Sequence, residues 1–298
     1  MIRLSPECIV CLARQAIKAS KAVNAPEDLQ FKVLKEVMKT LVSTEWGGCP
    51  PDLARPVFRT IRKVLGVNDP YRRVKKLSND LMLKMYGKLK ELVMGSQDPL
   101  RTAVIISIAG NAFDVAVMSE DDLMRIGNEF LKFTSEIMRR GVGIDDYELL
   151  RNKVLDAERM LFFADNAGEL VLDKLLIETM IKVRGREFER VTLVVKGGPI
   201  INDATPEDVE YVGFREVVRN LAVKTVSNGD PGTGPDRRDE EVMSWFREHD
   251  LKIFKGQGNY EALSDVPNSF FLLITKCELV ARSLGAKVGD VVIKYVRG

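Results

Sequence analysis

The sequence predicts an α/β protein in which a doubly wound, mostly parallel sheet follows a helical first half. From residue 160 onward, short apolar runs alternate with helical patterns, which is typical of strands and crossover helices. Before residue 160, helix starts marked by proline and acidic residues dominate, and no β-branched alternation is present. We therefore expect a helical domain or helical cap at residues 1–155 and a sheet domain at residues 156–298.

The composition is that of an ordinary globular protein and excludes several classes. The chain has 298 residues, of which 45% are hydrophobic and 30% charged, and its net charge is +2. So small a charge, without interleaved aromatic and basic residues, argues against binding nucleic acid or an anionic membrane. The most apolar stretch, residues 103–118, contains Asn111 and Asp114 and is too polar to span a bilayer.

The amino-terminal residues and the cysteines bear on the compartment. The first ten residues include Glu7 and lack a small-residue cleavage site, so they do not resemble a signal peptide. The four cysteines form no dense framework, which fits a reducing cytosol. We expect a cytoplasmic protein, and the sequence indicates no oligomeric state.

Seven helices are predicted in the first half, mostly from N-cap residues, prolines and early acidic residues. They begin near Ser5, Pro26, Asp52, Asp69, Asp98, Glu120 and Asp145. No repeat of fixed period and no segment of low complexity interrupts them.

Five apolar runs in the second half predict the strands of the sheet. They cover residues 160–164, 190–195, 221–226, 251–254 and 269–274. Each run ends in polar or glycine-rich residues. Because ligands bind at the carboxyl ends of the strands in open α/β sheets, we expect these polar residues to line one functional edge.

Oxygen-bearing side chains at two of these strand ends indicate a metal site. Asp165 and Asn166 follow the first run, and Asp203 follows the second. Two carboxylates and an amide suit Mg²⁺ or Mn²⁺, with Co²⁺ or Ni²⁺ as further candidates, and leave positions for water and a substrate phosphate. Asp and Asn are also common helix N-caps, so a capping role is the alternative.

Basic and glycine residues at the same edge suggest phosphate binding. Lys196, Gly197 and Gly198 end the second run, and Lys255 ends the fourth. Lysine ammonium groups and glycine backbones would hold phosphate oxygens. Together with a metal that supplies hydroxide, this assembly predicts phosphoryl transfer to water, with the lysines neutralising developing charge.

A polar pair in the helical half is expected to meet the same cleft. Asn111 and Asp114 are three residues apart and share one face of an apolar helix. Burying an unpaired carboxylate is unfavourable, so that face should contact polar surroundings. A buried structural hydrogen bond is the alternative.

Several other kinds of site are excluded by what the sequence lacks. His249 is the only histidine, which argues against a Ser-His-Asp triad and a histidine-rich zinc site. No G-x-x-x-x-G-K-[ST] loop is present, and no Asp-x-Asp follows the first strand. The run at residues 229–234 lacks the G-x-G-x-x-G register of a dinucleotide loop.

The thiols Cys8 and Cys11 lie on one face of the first predicted helix. They could form half of a zinc site with Cys49 as a third ligand, or they could be two small apolar residues in a helix interface. Their role is left open by the sequence.

Three segments together resemble the metal-dependent damage-control phosphatases, a family long known as a domain of unknown function. The segments are Asp165-Asn166-Ala167-Gly168-Glu169, residues 196–205 and residues 255–261. The resemblance covers nearly the whole chain, and the Cys8–Cys11 motif looks like the mark of the prokaryotic branch. It implies a three-layer α/β/α sandwich with a mostly parallel sheet and an N-terminal all-helical domain.

The resemblance also implies a site and a reaction. A divalent metal would be held by the equivalents of Asp165, Asn166 and Asp203, and Lys255 would lie near the phosphate. Asp165, Asp203 and Lys255 are then the expected catalytic residues. Residues that would line the phosphate and substrate side are Lys196, Gly197, Gly198, Asn111, Asp114, Asn259 and Glu261.

The expected function is hydrolysis of phosphomonoesters of small metabolites, either sugar phosphates or damaged phosphometabolites. Two alternatives stay open. The first is S-adenosylmethionine-dependent carboxyl methylation of proteins, which has been described for a eukaryotic member of the family. The second is a non-catalytic module that binds a phosphorylated ligand. The physiological substrate and the preferred metal are not indicated.

Overall fold

The computed structural model describes residues 2–112, 120–227 and 239–298, and of residues 112 and 120–124 it describes only the backbone. Asp114 and the glycine-rich run at residues 229–234 lie outside the described residues, so their expected roles stay predictions.

The helices of the described chain begin and end close to the predicted positions. Those of the first half are α1 (Pro6–Ala22), α2 (Glu27–Ser43), α3 (Pro50–Leu65), α4 (Arg72–Met94), α5 (Pro99–Ala109), α6 (Glu120–Arg140) and α7 (Tyr147–Asp156). Those of the second half are α8 (Glu169–Arg184), α9 (Pro206–Tyr211), α10 (Glu240–Glu248), α11 (Gln257–Leu263) and α12 (Glu278–Leu284).

The strands form one sheet in the order β1-β7-β6-β5-β2-β3-β4. They are β1 (Ile144–Asp145), β2 (Arg159–Phe163), β3 (Arg190–Lys196), β4 (Leu221–Val226), β5 (Leu251–Lys255), β6 (Ser269–Ile274) and β7 (Val291–Val296). All neighbouring pairs are parallel except β6 and β7. The ends of β2, β3, β5 and β6 therefore meet at one edge, as the sequence predicted.

Helices cover both faces of the sheet, which explains why its strands are apolar along their whole length. Phe162 faces one side and packs in a core with α5 and α8. Its neighbour Phe163 faces the other side and packs with Phe254 and with α10, α11 and α12. The predicted α/β/α sandwich is thus confirmed.

The helices of the first half belong to two different cores. Helices α1, α2 and α3 share a separate apolar cluster that includes Val37 and Phe58. Helices α5 and α6 join the core of the sheet instead, through residues such as Ile108 and Phe130. The division of the chain into domains at residues 1–155 and 156–298 stays a prediction.

Two strands of the sheet were not predicted from the sequence. β1 has only two residues, too few to show an alternating pattern, and it pairs with β7 at the sheet edge. β7 is a β-branched run that is interrupted by Lys294, and the five predicted strands were recognised by the helical pattern after each of them. Because β7 is antiparallel to β6 and parallel to β1, both β1 and β7 run opposite to the other strands of the sheet.

In the three stretches that the structure describes, no helix combines the length and the apolar character needed to cross a bilayer.

The buried ring of His249 makes a specific prediction for the pH dependence of stability. Nδ1 lies 2.7 Å from Trp245 O at the end of α10, and Nε2 lies 2.8 Å from Thr192 Oγ1. Burial holds the pKa of His249 below its usual value. The unfolded chain therefore binds a proton at a pH where the folded chain does not. The contribution of His249 to stability is fully present above the unfolded pKa of about 6.5 and is lost as the pH falls from there to the lower pKa of the folded state.

The test compares the wild type with His249→Gln by denaturant unfolding at about pH 8 and about pH 5, on either side of that pKa. We expect the wild type to lose more free energy of unfolding than the variant on acidification. An equal loss in the two proteins would contradict the assignment, because other acidic groups titrate in both.

Candidate functional site

Two neighbouring strand ends bring the predicted metal ligands together. Asp165 and Asn166 follow β2, and Asp203 lies in the loop after β3. Because β2 and β3 are adjacent and parallel, their carboxyl ends lie side by side. Asn166 and Asp203 form an isolated antiparallel bridge between the two loops.

Backbone hydrogen bonds hold the two loops against each other. The N–H of Ala204 donates to the carbonyl of Asp165 over 2.8 Å. In the opposite direction, the N–H of Ala167 donates to the carbonyl of Asn202 over 2.8 Å. The relative position of the two ligand-bearing loops is therefore fixed by the backbone as well as by side chains.

Asn111 reaches this site from the helical half, directly after α5. Its Nδ2 lies 2.6 Å from Asp165 Oδ2 and 2.6 Å from Glu169 Oε1. The amide of Asn166 contacts the same two carboxylates at 3.1 and 2.6 Å. The buried Asn111 Oδ1 has no hydrogen-bond partner among the described residues, so an acceptor is available inside the site.

Among the described residues, the site contains more carboxylates than cations to neutralise them. Its acidic residues are Asp165, Glu169, Asp173 and Asp203, and its buried basic residues are Lys196 and Lys255. Burial raises the pKa of Asp203 to about 7; Lys196 opposes this shift and the charge of Asp165 adds to it. Burial likewise raises the pKa of Glu169 to about 7, against the opposing effect of Lys255. The ionised site is thus short of positive charge.

Lys255 is fully buried and its ammonium is engaged by protein groups. Nζ donates to Asp173 Oδ1 at 2.7 Å, to the carbonyl of Ser107 at 3.1 Å and to Glu169 Oε2 at 3.4 Å. Burial lowers the pKa of Lys255, but the Asp173 and Glu169 carboxylates outweigh it and raise the pKa above its usual value. Lys255 is therefore charged and braces Glu169, while its contact with a phosphate stays a prediction.

The predicted phosphate-binding residues after β3 lie beside Asp203. Lys196 is buried, and its Nζ is 3.8 Å from Asp203 Oδ2. The N–H of Gly197 donates to the carbonyl of Val226 at 2.7 Å, so that N–H is already used between β3 and β4. Phosphate binding by Lys196, Gly197 and Gly198 stays a prediction. The N–H of Gly197 would not contribute to it, because this donor is already bound to Val226.

Gly256 explains why β5 can end against the carboxylate of Asp165. It adopts a φ of +80°, and a Cβ there would overlap the Asp165 carboxylate. Only glycine combines this backbone conformation with such a close approach. The neighbouring Asn259 donates to the carbonyls of Ala164 (3.1 Å) and Lys255 (2.7 Å), so its amide ties the ends of β2 and β5 together.

Glu261 is a buried acid at the side of the site. Its Oε1 accepts a hydrogen bond of 2.9 Å from Gln257 Nε2. Burial raises the pKa of Glu261 to about 7; the hydrogen bond from Gln257 opposes this shift and the charge of Asp165 adds to it. Substrate contacts of Asn259 and Glu261 stay predictions.

Sequence reasoning did not single out Asp173 or Lys276. Asp173 is one helical turn after Glu169 on α8 and is completely buried, and a buried acid in an apolar helix is a signal that the sequence does carry. Lys276 follows β6 at the same edge of the sheet and is exposed. It is close enough for its charge to oppose the rise in the pKa of Glu169.

The cysteines are all free thiols, and Cys277 is close enough to Cys11 for its charge to affect the pKa of Cys11. Burial raises the pKa of Cys11, and the charges of Cys8, Glu261 and Cys277 raise it further. Cys49, which the sequence suggested as a third ligand, instead donates through Sγ to Asp52 Oδ2 at 3.0 Å and caps α3.

The donor chemistry at the loops fits a hard divalent cation, although the side chains do not form a finished cage. In the described ranges, no three His, Cys, Asp or Glu side chains are arranged to hold a metal ion as they stand. The expected ligand set includes the amide oxygen of Asn166 as well as two carboxylates. The carboxylate excess and the unpartnered Asn111 Oδ1 are features that a cation in this site would satisfy.

Comparisons with known proteins agree with one another over the whole chain. Residues 4–292 match the damage-control phosphatase ARMT1-like domain. A damage-control phosphatase from Archaeoglobus fulgidus is 36% identical over 99% of this chain and 100% of its own length. A damage-control phosphatase from Pyrococcus horikoshii is 32% identical over 98% of this chain and 97% of its own length.

A solved structure shows the same fold. The crystal structure of a DUF89 family protein from Pyrococcus horikoshii superimposes with a TM-score of 0.84 at 28% identity, and the match covers 100% of both chains. Fold, domain model and full-length relatives thus lead to one conclusion: the chain belongs to the damage-control phosphatase ARMT1-like domain family.

Proposed function

We propose that this protein is a metal-dependent phosphatase that hydrolyses phosphomonoesters of small metabolites, such as sugar phosphates or damaged phosphometabolites. The observation that carries the proposal is the convergence of Asp165, Asn166 and Asp203 at the ends of β2 and β3, in a site with an excess of buried carboxylate. The names of the full-length relatives support phosphatase activity.

The proposed metal ligands are Asp165, Asn166 and Asp203. Carboxylate and amide oxygens favour Mg²⁺ or Mn²⁺, and Co²⁺ or Ni²⁺ are further candidates. When bound, a divalent cation polarises the phosphate and lowers the pKa of a water ligand. No observation favours transfer of a methyl group from S-adenosylmethionine, and the relatives named above are called phosphatases.

The remaining residues would orient the carboxylates and receive the phosphate. Asn111 donates to both Asp165 and Glu169 and so fixes which oxygens face the site. Lys255 compensates the charge of Glu169 from the protein side. Of the described cations, Lys196, beside Asp203, and the exposed Lys276 are proposed to bind phosphate oxygens and to neutralise charge on the leaving group.

The proposed partner is a small phosphorylated metabolite, and neither nucleic acid nor a membrane is expected to bind. We also propose a cytoplasmic location. Besides the phosphorylated substrate, the proposed reaction needs only water as a co-substrate and a divalent ion as a cofactor.

Chelation is the direct test of the reaction class. EDTA should abolish phosphate release from a panel of phosphomonoesters, and Mg²⁺, Mn²⁺ or Co²⁺ should restore it. The reason is that carboxylates alone supply no Lewis acid to polarise the phosphate. S-adenosylmethionine should leave the rate unchanged. Metal-free protein, verified by elemental analysis, that transfers methyl groups and releases no phosphate would contradict the proposal, and metal binding without turnover would indicate a binding module.

Asp203→Asn should abolish metal binding and phosphate release while the folded state without metal keeps or slightly gains stability. The variant replaces an anionic metal ligand by a neutral amide, which leaves a divalent cation with too little negative charge to hold it, and it removes a buried charge that is repelled by Asp165 and Glu169. Calorimetric titration with Mn²⁺ and thermal unfolding would measure the two effects separately.

Asp80→Asn is the matched control, because Asp80 pairs with Lys76 outside the site. It should bind Mn²⁺ and release phosphate like the wild type. Normal phosphate release by Asp203→Asn at saturating Mn²⁺ would show that the metal assignment is wrong.

A further inference from the structure

Helix α4 contacts the site through Asn79, a side chain that is 1% exposed. Its Oδ1 accepts the N–H of Gly168 at 2.6 Å, at the start of α8. Its Nδ2 donates to Asp208 Oδ1 at 2.9 Å, in the first turn of α9. The buried amide of Asn79 thus accepts a hydrogen bond from the loop that follows Asn166 and donates one to Asp208, which follows the Asp203 loop.

Asp208 carries the connection to the second loop. Its Oδ2 accepts from the N–H of Thr205 at 2.9 Å and from Thr205 Oγ1 at 2.7 Å. Lys75 Nζ lies 3.3 Å from the same oxygen and 3.2 Å from Asp69 Oδ2. The carboxylate of Asp208 is therefore compensated by a cation and fully engaged by protein groups.

Asn79 and Asp208 hold residues that closely follow the proposed metal ligands in the sequence. Gly168 is two residues after Asn166, and Thr205 is two residues after Asp203. The backbone hydrogen bonds join the two loops to each other, and Asn111 and Asn259 bond only to the Asp165 side of the site. Asn79 is linked to both loops and connects them to helix α4. Gly168 is also pressed against α4, because a Cβ there would lie 2.9 Å from Ser78 Cβ.

We propose that Asn79 and Asp208 are positioning residues that set the spacing between the Asp165–Asn166 loop and the Asp203 loop, and thereby the affinity of the site for its metal. This inference rests on the proposed function. Replacing residues that orient metal ligands without contacting the metal generally reduces metal affinity or activity by about 10- to 100-fold.

The polarity of the pair provides the test. In Asn79→Asp the new carboxylate still accepts from Gly168, but it faces the Asp208 carboxylate without a donor between them. In Asp208→Asn the new amide presents its donor to the donor of Asn79, or loses its acceptor for Thr205. In the double variant, the amide introduced at position 208 would donate to the carboxylate introduced at position 79. Every hydrogen bond of the pair would then exist again, with one direction reversed.

The experiment measures the Kd of Mn²⁺ by calorimetry and the kcat for release of phosphate from p-nitrophenyl phosphate. Each single variant should bind Mn²⁺ at least about tenfold more weakly and turn over at least about tenfold more slowly. The double variant should return to within about threefold of the wild type in both, because the hydrogen bonds and the net charge are restored.

Thr192→Val is the control for a general loss of stability. It removes a buried hydrogen bond to His249 on the same sheet, away from the ligand loops. This variant should lower the unfolding temperature and leave the Kd of Mn²⁺ and kcat unchanged. If Asn79→Asp does not fold, Asp208→Asn, which removes a charge instead of adding one, takes its place in the comparison.

Two outcomes overturn the inference: single variants that bind Mn²⁺ like the wild type, or single variants that are impaired and not rescued in the double variant. A wild-type protein that neither binds Mn²⁺ nor releases phosphate would instead refute the proposed function. The two failures are therefore distinguishable.

Discussion

The constraint on which the site depends is the concentration of buried negative charge where β2 and β3 end. Charged groups are unfavourable in a protein interior unless they are paired. Here Asp173 and Glu169 share the buried ammonium of Lys255, while Asp203 has Lys196 at the longer distance of 3.8 Å. The surrounding structure supplies donors from Asn111 and Asn166, and a glycine at position 256 to allow close approach. Within the described part of the chain, this arrangement leaves the carboxylates at the strand ends short of positive charge, which a divalent ion would supply.

The helical first half is part of the site because it provides these compensating groups. Asn111 comes from the end of α5, and Ser107 of the same helix accepts from Lys255 and donates to Asp173. Asn79 comes from α4 and anchors the start of α8. Helices α5 and α8 pack closely in the same core, which places these side chains behind the loops. The helices of the first half therefore do more than cover the sheet.

The sequence predicted the parts of the molecule that depend on local pattern. Strand ends followed by Asp165, Asn166 and Asp203 were identifiable because parallel strands place their carboxyl ends at one edge. The contacts of Lys255 with Asp173 and Ser107 were not, because they join residues 82 and 148 positions apart. Cys277 near Cys11, and Asn79 against Gly168, depend on long-range packing in the same way. β1 was not predicted because a strand of two residues is too short to show a recognisable hydrophobic pattern.

The most direct measurement of the central claim is anomalous diffraction from crystals soaked in Mn²⁺ and collected at the manganese absorption edge. The account predicts one strong anomalous peak within about 2.5 Å of oxygens of Asp165, Asn166 and Asp203, the range expected for hard-cation ligation. A peak located instead at the thiols of Cys8, Cys11 and Cys277, or no peak between the two loops at saturating Mn²⁺, would contradict it.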